Sequence, residues 1–405
     1  MEFRYKDIAL IKEEDIMPII QEAESYIFRL KKISERGGDG YESPEGFINL
    51  PFDATIKKKV EDLAKEKNTG KLKYLFLVGI GGSELGCQAI YEAIYGKIDN
   101  LITSRLPKII FIDTISKKTI QSVQKIISEI SNPEEIILNI ICKSGTTFEI
   151  INNFEDIYSI LKKKVDNIDK RIVIITEKES KLWSIAEEKN FSLLEIPKNI
   201  SGRYSVFSPV GLFPLLLTGI NIDKLLAGAK NMRSWCLDPA FSNIAILSAS
   251  LIYLHNKNGI KIHNTFFSNP EMEALGKWHS QVLAESLGKD TDLQGEKTIS
   301  GITPLVSTPV DFHSCLQLYL AGPKDKFTTF VSSAGMDLIM KGVKSAYQER
   351  SLPFMEIDLP EISENVLGEF MQFKMMEVVF LAKLFNVNAF DQPAVEEYKK
   401  FLVRS

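Results

Sequence analysis

Cysteine, histidine and long apolar runs are all scarce in this chain, and each shortage removes a class of protein. The four cysteines, Cys87, Cys142, Cys236 and Cys315, are scattered among 405 residues with no pair at CxxC spacing. That argues against a disulfide framework or a zinc site of that kind, and for a reducing, cytoplasmic setting. The four histidines form no cluster, and no carboxylate set stands at metal-ligand spacing, so no metal and no cofactor are expected. Residues 1–7 contain no apolar leader core, and no eighteen-residue apolar run occurs anywhere, which excludes a helical membrane span. No basic run occurs either, and the net charge is −4. Nucleic acid and anionic membrane are therefore excluded as partners.

What is present is the material for two cores. Hydrophobic residues make up 44% of the 405 positions and charged residues 25%, and two domains are expected at this length. Residues 1–70 read as helices and a polar loop, with Gly37-Gly38-Asp39-Gly40 as a break. From 73 to about 196, strand candidates at 74–78, 108–113, 136–141 and 171–176 alternate with amphipathic stretches. This βαβ rhythm predicts a mainly parallel sheet flanked by helices, a three-layer α/β fold. The segment 197–209 is rich in Gly, Ser, Asn and Pro and reads as a boundary. A helical region to about 258 follows, then strand candidates at 261–266, 326–331 and 352–357, and helices at 363–385 and 393–403. The expected division is an N-terminal helical segment at 1–70, a first α/β domain at 71–200 and a second at 201–405.

Two loops carry phosphate chemistry. Val78-Gly79-Ile80-Gly81-Gly82-Ser83-Glu84-Leu85-Gly86 follows an apolar strand and opens a helix. Glycines there allow close backbone approach, and free N–H groups at a helix start attract anions. The spacing is neither a P-loop nor the dinucleotide fingerprint. A second loop, Cys142-Lys143-Ser144-Gly145-Thr146-Thr147, joins the strand at 136–141 to a helix from 148. Capping of that helix would use one hydroxyl. Lys143 with the hydroxyls of Ser144, Thr146 and Thr147 supplies the donor density of a phosphate site.

Three further segments hold more polar chemistry than packing needs. Ser201-Gly202-Arg203-Tyr204-Ser205 carries an arginine that alone would read as a solvated linker residue. Gln281 and Glu285 lie in Trp278-His279-Ser280-Gln281-Val282-Leu283-Ala284-Glu285-Ser286-Leu287-Gly288-Lys289, where Glu285 alone would read as a surface carboxylate. In Phe390-Asp391-Gln392-Pro393-Ala394-Val395-Glu396-Glu397-Tyr398-Lys399, Asp391 alone would be an N-cap and Lys399 a helix-surface lysine.

Together, from Gly79 to Lys399, these segments resemble the phosphoglucose isomerase family. Residues 79–86 and 143–149 look like its two sugar-phosphate loops. Gly202-Arg203-Tyr204-Ser205 and Phe390-Asp391-Gln392-Pro393 resemble its signatures, and His313-Ser314 with Gln317 its histidine motif. The resemblance implies two sugar-isomerase (SIS) domains, a sugar-phosphate substrate, aldose–ketose isomerisation in glycolysis and gluconeogenesis, and a homodimer with shared active sites. It assigns Glu285 as the base that moves a proton between C2 and C1, and His313 and Lys399 as the ring-opening pair. Arg203 is suited to stabilising the enediolate. Gly82, Ser83, Lys143, Ser144, Thr146 and Thr147 would bind phosphate, and Gln281 and Gln392 sugar hydroxyls. By the same resemblance His313 is lent by the neighbouring subunit. Cys142, Ser201, Phe312 and Ala394 depart from the family pattern, which usually has serine, glycine, glutamine and glycine there.

Two other readings are compatible with the loops. One is a non-catalytic sugar-phosphate sensor, which would need neither Glu285, Arg203 nor Lys399. The other is an isomerase that also accepts mannose 6-phosphate. Of the histidines, His255, His263 and His279 have no motif around them and read as structural or exposed.

Overall fold

The computed structural model describes residues 1–238, 243–298, 300–335, 337–395 and 397. Among these, ten strands form: β1 (Glu2–Arg4), β2 (Tyr74–Val78), β3 (Lys108–Ile112), β4 (Ile136–Ile141), β5 (Ile172–Glu177), β6 (Ser192–Ile196), β7 (Ile262–Phe267), β8 (Thr303–Ser307), β9 (Lys326–Ser332) and β10 (Phe354–Asp358). The helices are α1 (Glu13–Glu35), α2 (Ala54–Lys67), α3 (Leu85–Tyr95), α4 (Lys117–Ser128), α5 (Phe148–Lys164), α6 (Lys181–Glu188), α7 (Pro209–Leu217), α8 (Ile222–Cys236), α9 (Ile244–Lys257), α10 (Glu273–Leu287), α11 (Leu316–Ala321), α12 (Asp337–Glu349) and α13 (Glu364–Leu384). They make two compact units, residues 33–227, and residues 1–32 with 228–405.

In the unit of residues 33–227 five parallel strands lie in the order β3-β2-β4-β5-β6. Every residue of β4 is buried, so both faces of this strand are covered, as its almost wholly apolar run requires. Its one polar residue, Asn139, donates from Nδ2 to the Val173 carbonyl at 3.1 Å. Phe154, Ile157 and Leu161 of α5 and Val123 and Ile127 of α4 pack with Phe76, Leu138 and Ile174 in one core. Local chemistry starts the helices: Ser116 caps α4 by accepting from the Thr119 N–H. Strand β2 is the first strand of this sheet in chain order, with β3 added on one side and β4 on the other. The connections reverse between β2 and β4, where open α/β sheets bind ligands beyond the strand ends.

The other unit repeats this winding. Around its first parallel strand, β7, β8 lies on one side and β9 then β10 on the other, with β1 antiparallel at the edge. Strands β1, β6 and β8 are not legible as strands in the sequence. Each is short and has at least one row of half-exposed or exposed residues, so its pairing rather than its pattern makes it a strand. The core of this unit contains charge. Lys374 and Glu377 of α13 are fully buried and 2.9 Å apart, and His279 Nε2 of α10 is 3.4 Å from Glu377. Burial pushes the Glu377 carboxyl up, but Lys374, His279 and His263 outweigh it and hold the group below the usual carboxylate range. The three motif-less histidines are all buried: His255 pairs with the Ala9 carbonyl, and His263 with Thr329, each at 2.8 Å.

The chain does not divide at residue 200. Residues 1–32 group with 228–405, since β1 pairs with β10, and the division at 227/228 falls inside α8. The Gly- and Ser-rich stretch expected as a boundary is interior to the first unit. Ile200, Tyr204 and Phe207 are fully buried and Ser201 and Arg203 nearly so. Its irregular composition serves close backbone packing, not chain flexibility.

Candidate active site

The first glycine-rich loop leaves β2, makes a 3-10 turn over Gly81–Ser83 and enters α3. Gly82 has a specific reason to be glycine. A Cβ there would lie 2.2 Å from the Gly202 carbonyl carbon and 2.4 Å from the Arg203 nitrogen. The loop therefore rests backbone to backbone on the Arg203 turn, and two segments over a hundred residues apart become one surface. Arg203 is 2% exposed, with its guanidinium carbon 5.7 Å from the Tyr204 ring centre. That burial removes the reading of Arg203 as a solvated linker residue.

The second loop leaves β4 and enters α5. Thr147 occupies the N-cap position, yet its hydroxyl makes no capping hydrogen bond. The hydroxyls face one another instead. Thr146 donates to Ser144 Oγ from Oγ1 at 3.2 Å and from its N–H at 3.3 Å, and Thr147 Oγ1 is 3.5 Å from Ser144 Oγ. Gly145 holds φ +68° with its α-carbon face against the Leu182 nitrogen, where a Cβ would be 2.8 Å away. Thr176 Oγ1 donates to the Cys142 carbonyl at 2.6 Å and fixes the loop to β5. Burial lowers the Lys143 pKa, Glu177 opposes the shift and Arg203 adds to it. Lys143 and Arg203 thus act in one positive field. Cys142 is buried, with its sulfur 3.9 Å from Ser144 Oγ.

Sequence reading passed over Glu84, which the fold makes chemically unusual. It is 2% exposed, and one carboxyl oxygen has no hydrogen-bond partner. Burial, then the negative charges of Asp113 and Glu92, push its pKa to about 8. A carboxyl whose folded pKa is raised contributes its stability below the unfolded value of about 4.5, and loses it as pH rises through the folded value. The protein's stability should fall between pH 5 and 8 on this account, by on the order of 1.4 kcal/mol per pH unit at most. Thermal melts of Glu84→Gln over that range should show a flatter pH profile than the native chain. An identical profile would mean Glu84 is ionised throughout.

In the other unit α10 carries Gln281 and Glu285 on one face, one turn apart. Gln281 donates from Nε2 to Glu285 Oε1 at 2.9 Å, which fixes the carboxylate rotamer. His279 points the other way, into the buried Lys374–Glu377 pair, so α10 is anchored on one side and presents its carboxylate on the other. Lys289 joins this helix end to the loop carrying Gln392: it donates to the carbonyls of Glu285 and Asp391. His313 is exposed and ends the 3-10 turn Pro309–Phe312, which begins with a Thr308–Asp311 capping box. Phe312 stacks on Phe266 with ring centres 4.8 Å apart, so the family's usual glutamine is replaced here by a core anchor. Ser201 is buried, and Ala394 is exposed. Lys399 lies outside the described residues. Among the described residues no group of three or more His, Cys, Asp or Glu side chains is placed to hold a metal, and no helix is long and apolar enough to cross a membrane.

The sequence matches the family model described as phosphoglucose isomerase over residues 54–318. It is 34% identical to a glucose-6-phosphate isomerase of Methanocaldococcus jannaschii, covering 89% of each chain. A solved hypothetical protein of Thermus thermophilus superposes with a TM-score of 0.81 at 28% identity, covering 96% of this chain and 94% of that one. A solved glucose-6-phosphate isomerase of Chlamydia trachomatis shares the fold with a TM-score of 0.83 at 19% identity, covering 97% of this chain and 86% of that one.

Proposed function

Because this chain belongs to the phosphoglucose isomerase family, we propose that it interconverts glucose 6-phosphate and fructose 6-phosphate by ring opening and a cis-enediol. The observation that carries the chemistry is the Gln281–Glu285 pair, a carboxylate aimed by a neighbouring amide on a firmly anchored helix. The phosphate would rest on residues 82–83 and 143–147, where Lys143, clustered hydroxyls and two helix starts converge on charge of one sign. Glu285 would take the C2 proton and return it to C1. Arg203, buried and fixed, would meet the charge that develops on the enediolate oxygens. His313 and Lys399 would open the ring, since an imidazole is suited to proton transfer near neutrality. Gln281 and Gln392 would hold sugar hydroxyls. No step in this scheme calls for a metal or a cofactor.

The working form is a homodimer in the cytoplasm, with His313 lent to the partner's site. Val310 and Leu318, on either side of His313, are 71% and 51% exposed. Apolar exposure flanking a polar group fits a surface covered by a second copy. The buried thiols of Cys87, Cys142 and Cys236 are free, which suits a reducing compartment.

The direct test is a coupled assay of fructose 6-phosphate to glucose 6-phosphate with EDTA present. Turnover is expected; sugar-phosphate binding without turnover would make the protein a sensor. Within the loops, Ser144→Ala and Thr147→Ala should each raise KM by about tenfold to a hundredfold with little change in kcat. Each removes a charge-assisted bond worth about 1.5–3 kcal/mol, remote from the reacting carbons. Cys142→Ser should lower KM if anything. Unchanged KM in both alanine variants would put the phosphate elsewhere.

A further inference from the structure

Lys289 follows Gly288, the C-cap of α10, and its ammonium serves two segments at once. It donates to the Glu285 carbonyl at 2.5 Å and to the Asp391 carbonyl at 2.9 Å, and it lies 3.5 Å from the Asp391 carboxylate. The first contact is what a helix end needs, because its last carbonyls have no partner within the helix. The second is not required by α10 at all. It reaches a loop 102 residues further along the chain, immediately before Gln392. The Lys289 side chain is 7% exposed although Asp391 is 51% exposed, so the lysine lies beneath that loop and not in solvent.

The loop is itself stiffened. Asn388 donates from Nδ2 to Asp391 Oδ2 at 2.9 Å and accepts from the Phe390 N–H at 3.0 Å. On the helix side, Ser300 Oγ donates to the Leu287 carbonyl at 2.8 Å and the Lys289 carbonyl at 3.2 Å. Two rigid pieces therefore meet at one ammonium. Gln281 already sets the Glu285 rotamer; the Lys289 strap sets where the loop before Gln392 begins relative to the Glu285 backbone.

We propose that Lys289 is a positioning residue for the isomerisation. It holds the Gln392 segment in register with Glu285, so that the sugar hydroxyl bound by one and the proton taken by the other keep a fixed separation. The proposal rests on the reading of Glu285 and Gln392 given above. Small misplacements of a reacting group cost far more in turnover than in binding. The phosphate loops belong to the other compact unit, so the strap acts on kcat and not on anion affinity.

Lys289→Met in the full chain keeps the aliphatic stem and removes the donor. The expected result is a fall in kcat of about tenfold to a hundredfold. KM for fructose 6-phosphate and inhibition by inorganic phosphate should stay close to native in the folded protein, while the melting temperature falls because the Glu285 and Asp391 carbonyls lose their donor. Lys289→Arg, which retains donors, should recover most of the loss. Combined with Gln392→Ala, Lys289→Met should cost little beyond the worse single variant, because both changes act through one segment. Native kcat in Lys289→Met overturns the proposal. So do losses that multiply in the double variant, or a fall in activity matched by an equal loss of folded protein. Glu285→Gln measured alongside separates the two levels. If it is inactive while Lys289→Met is fully active, the strap alone fails; if both are fully active, the site assignment beneath it fails as well.

Discussion

Glu285→Gln should lower turnover by on the order of a thousandfold or more while sugar-phosphate binding stays nearly intact. The amide has the shape of the carboxylate, and its oxygen can still accept from Gln281 Nε2, which lies 2.9 Å from the present carboxylate oxygen. Position is therefore kept, and only the capacity to accept a proton from carbon is lost. General-base catalysis usually accounts for roughly a hundredfold to ten-thousandfold, and the loss should appear in kcat and kcat/KM together. Binding of inorganic phosphate as a competitor should not change, since the loops at 79–86 and 143–147, where the phosphate is proposed to rest, are untouched. A variant with a tenth of native turnover would remove Glu285 from the role of base.

A mixture of two inactive proteins, Glu285→Gln and His313→Ala, should regain activity once subunits exchange. The expectation follows from an exposed His313 flanked by exposed Val310 and Leu318, which fits a histidine that completes a neighbour's site. In a random mixture roughly half of the dimers are mixed, and each mixed dimer holds one site with both lesions and one with neither. Up to roughly a quarter of native sites should return if sites act independently. Mixed dimers demonstrated by mass, with no activity recovered, would place His313 and Glu285 in one subunit's site.

Much of the fold was legible in the sequence, for identifiable reasons. Short, mostly apolar runs such as 136–141, bounded by loops and alternating with amphipathic stretches, point to strands covered on both faces in a parallel α/β arrangement. Lys143, Ser144, Gly145, Thr146 and Thr147 are the basis for proposing anion binding, because donors and glycine sit within a few residues of a helix start. Such signals are local: propensity, periodicity and side-chain type act over a handful of positions. What only the tertiary structure decided depends on groups far apart in the chain. The three-residue strand β1 exists because β10 offers it an edge. The stretch around Arg203 looks like a linker by composition and becomes core because Gly82 admits its backbone to contact. Glu84 looks like any loop glutamate, and only burial beside Asp113 and Glu92 raises its pKa to about 8. Lys289 likewise becomes a strap because Asp391 comes within reach. Composition names the groups that can do chemistry; burial and long-range approach, which sum over many distant residues, decide which of them are held where chemistry can be done.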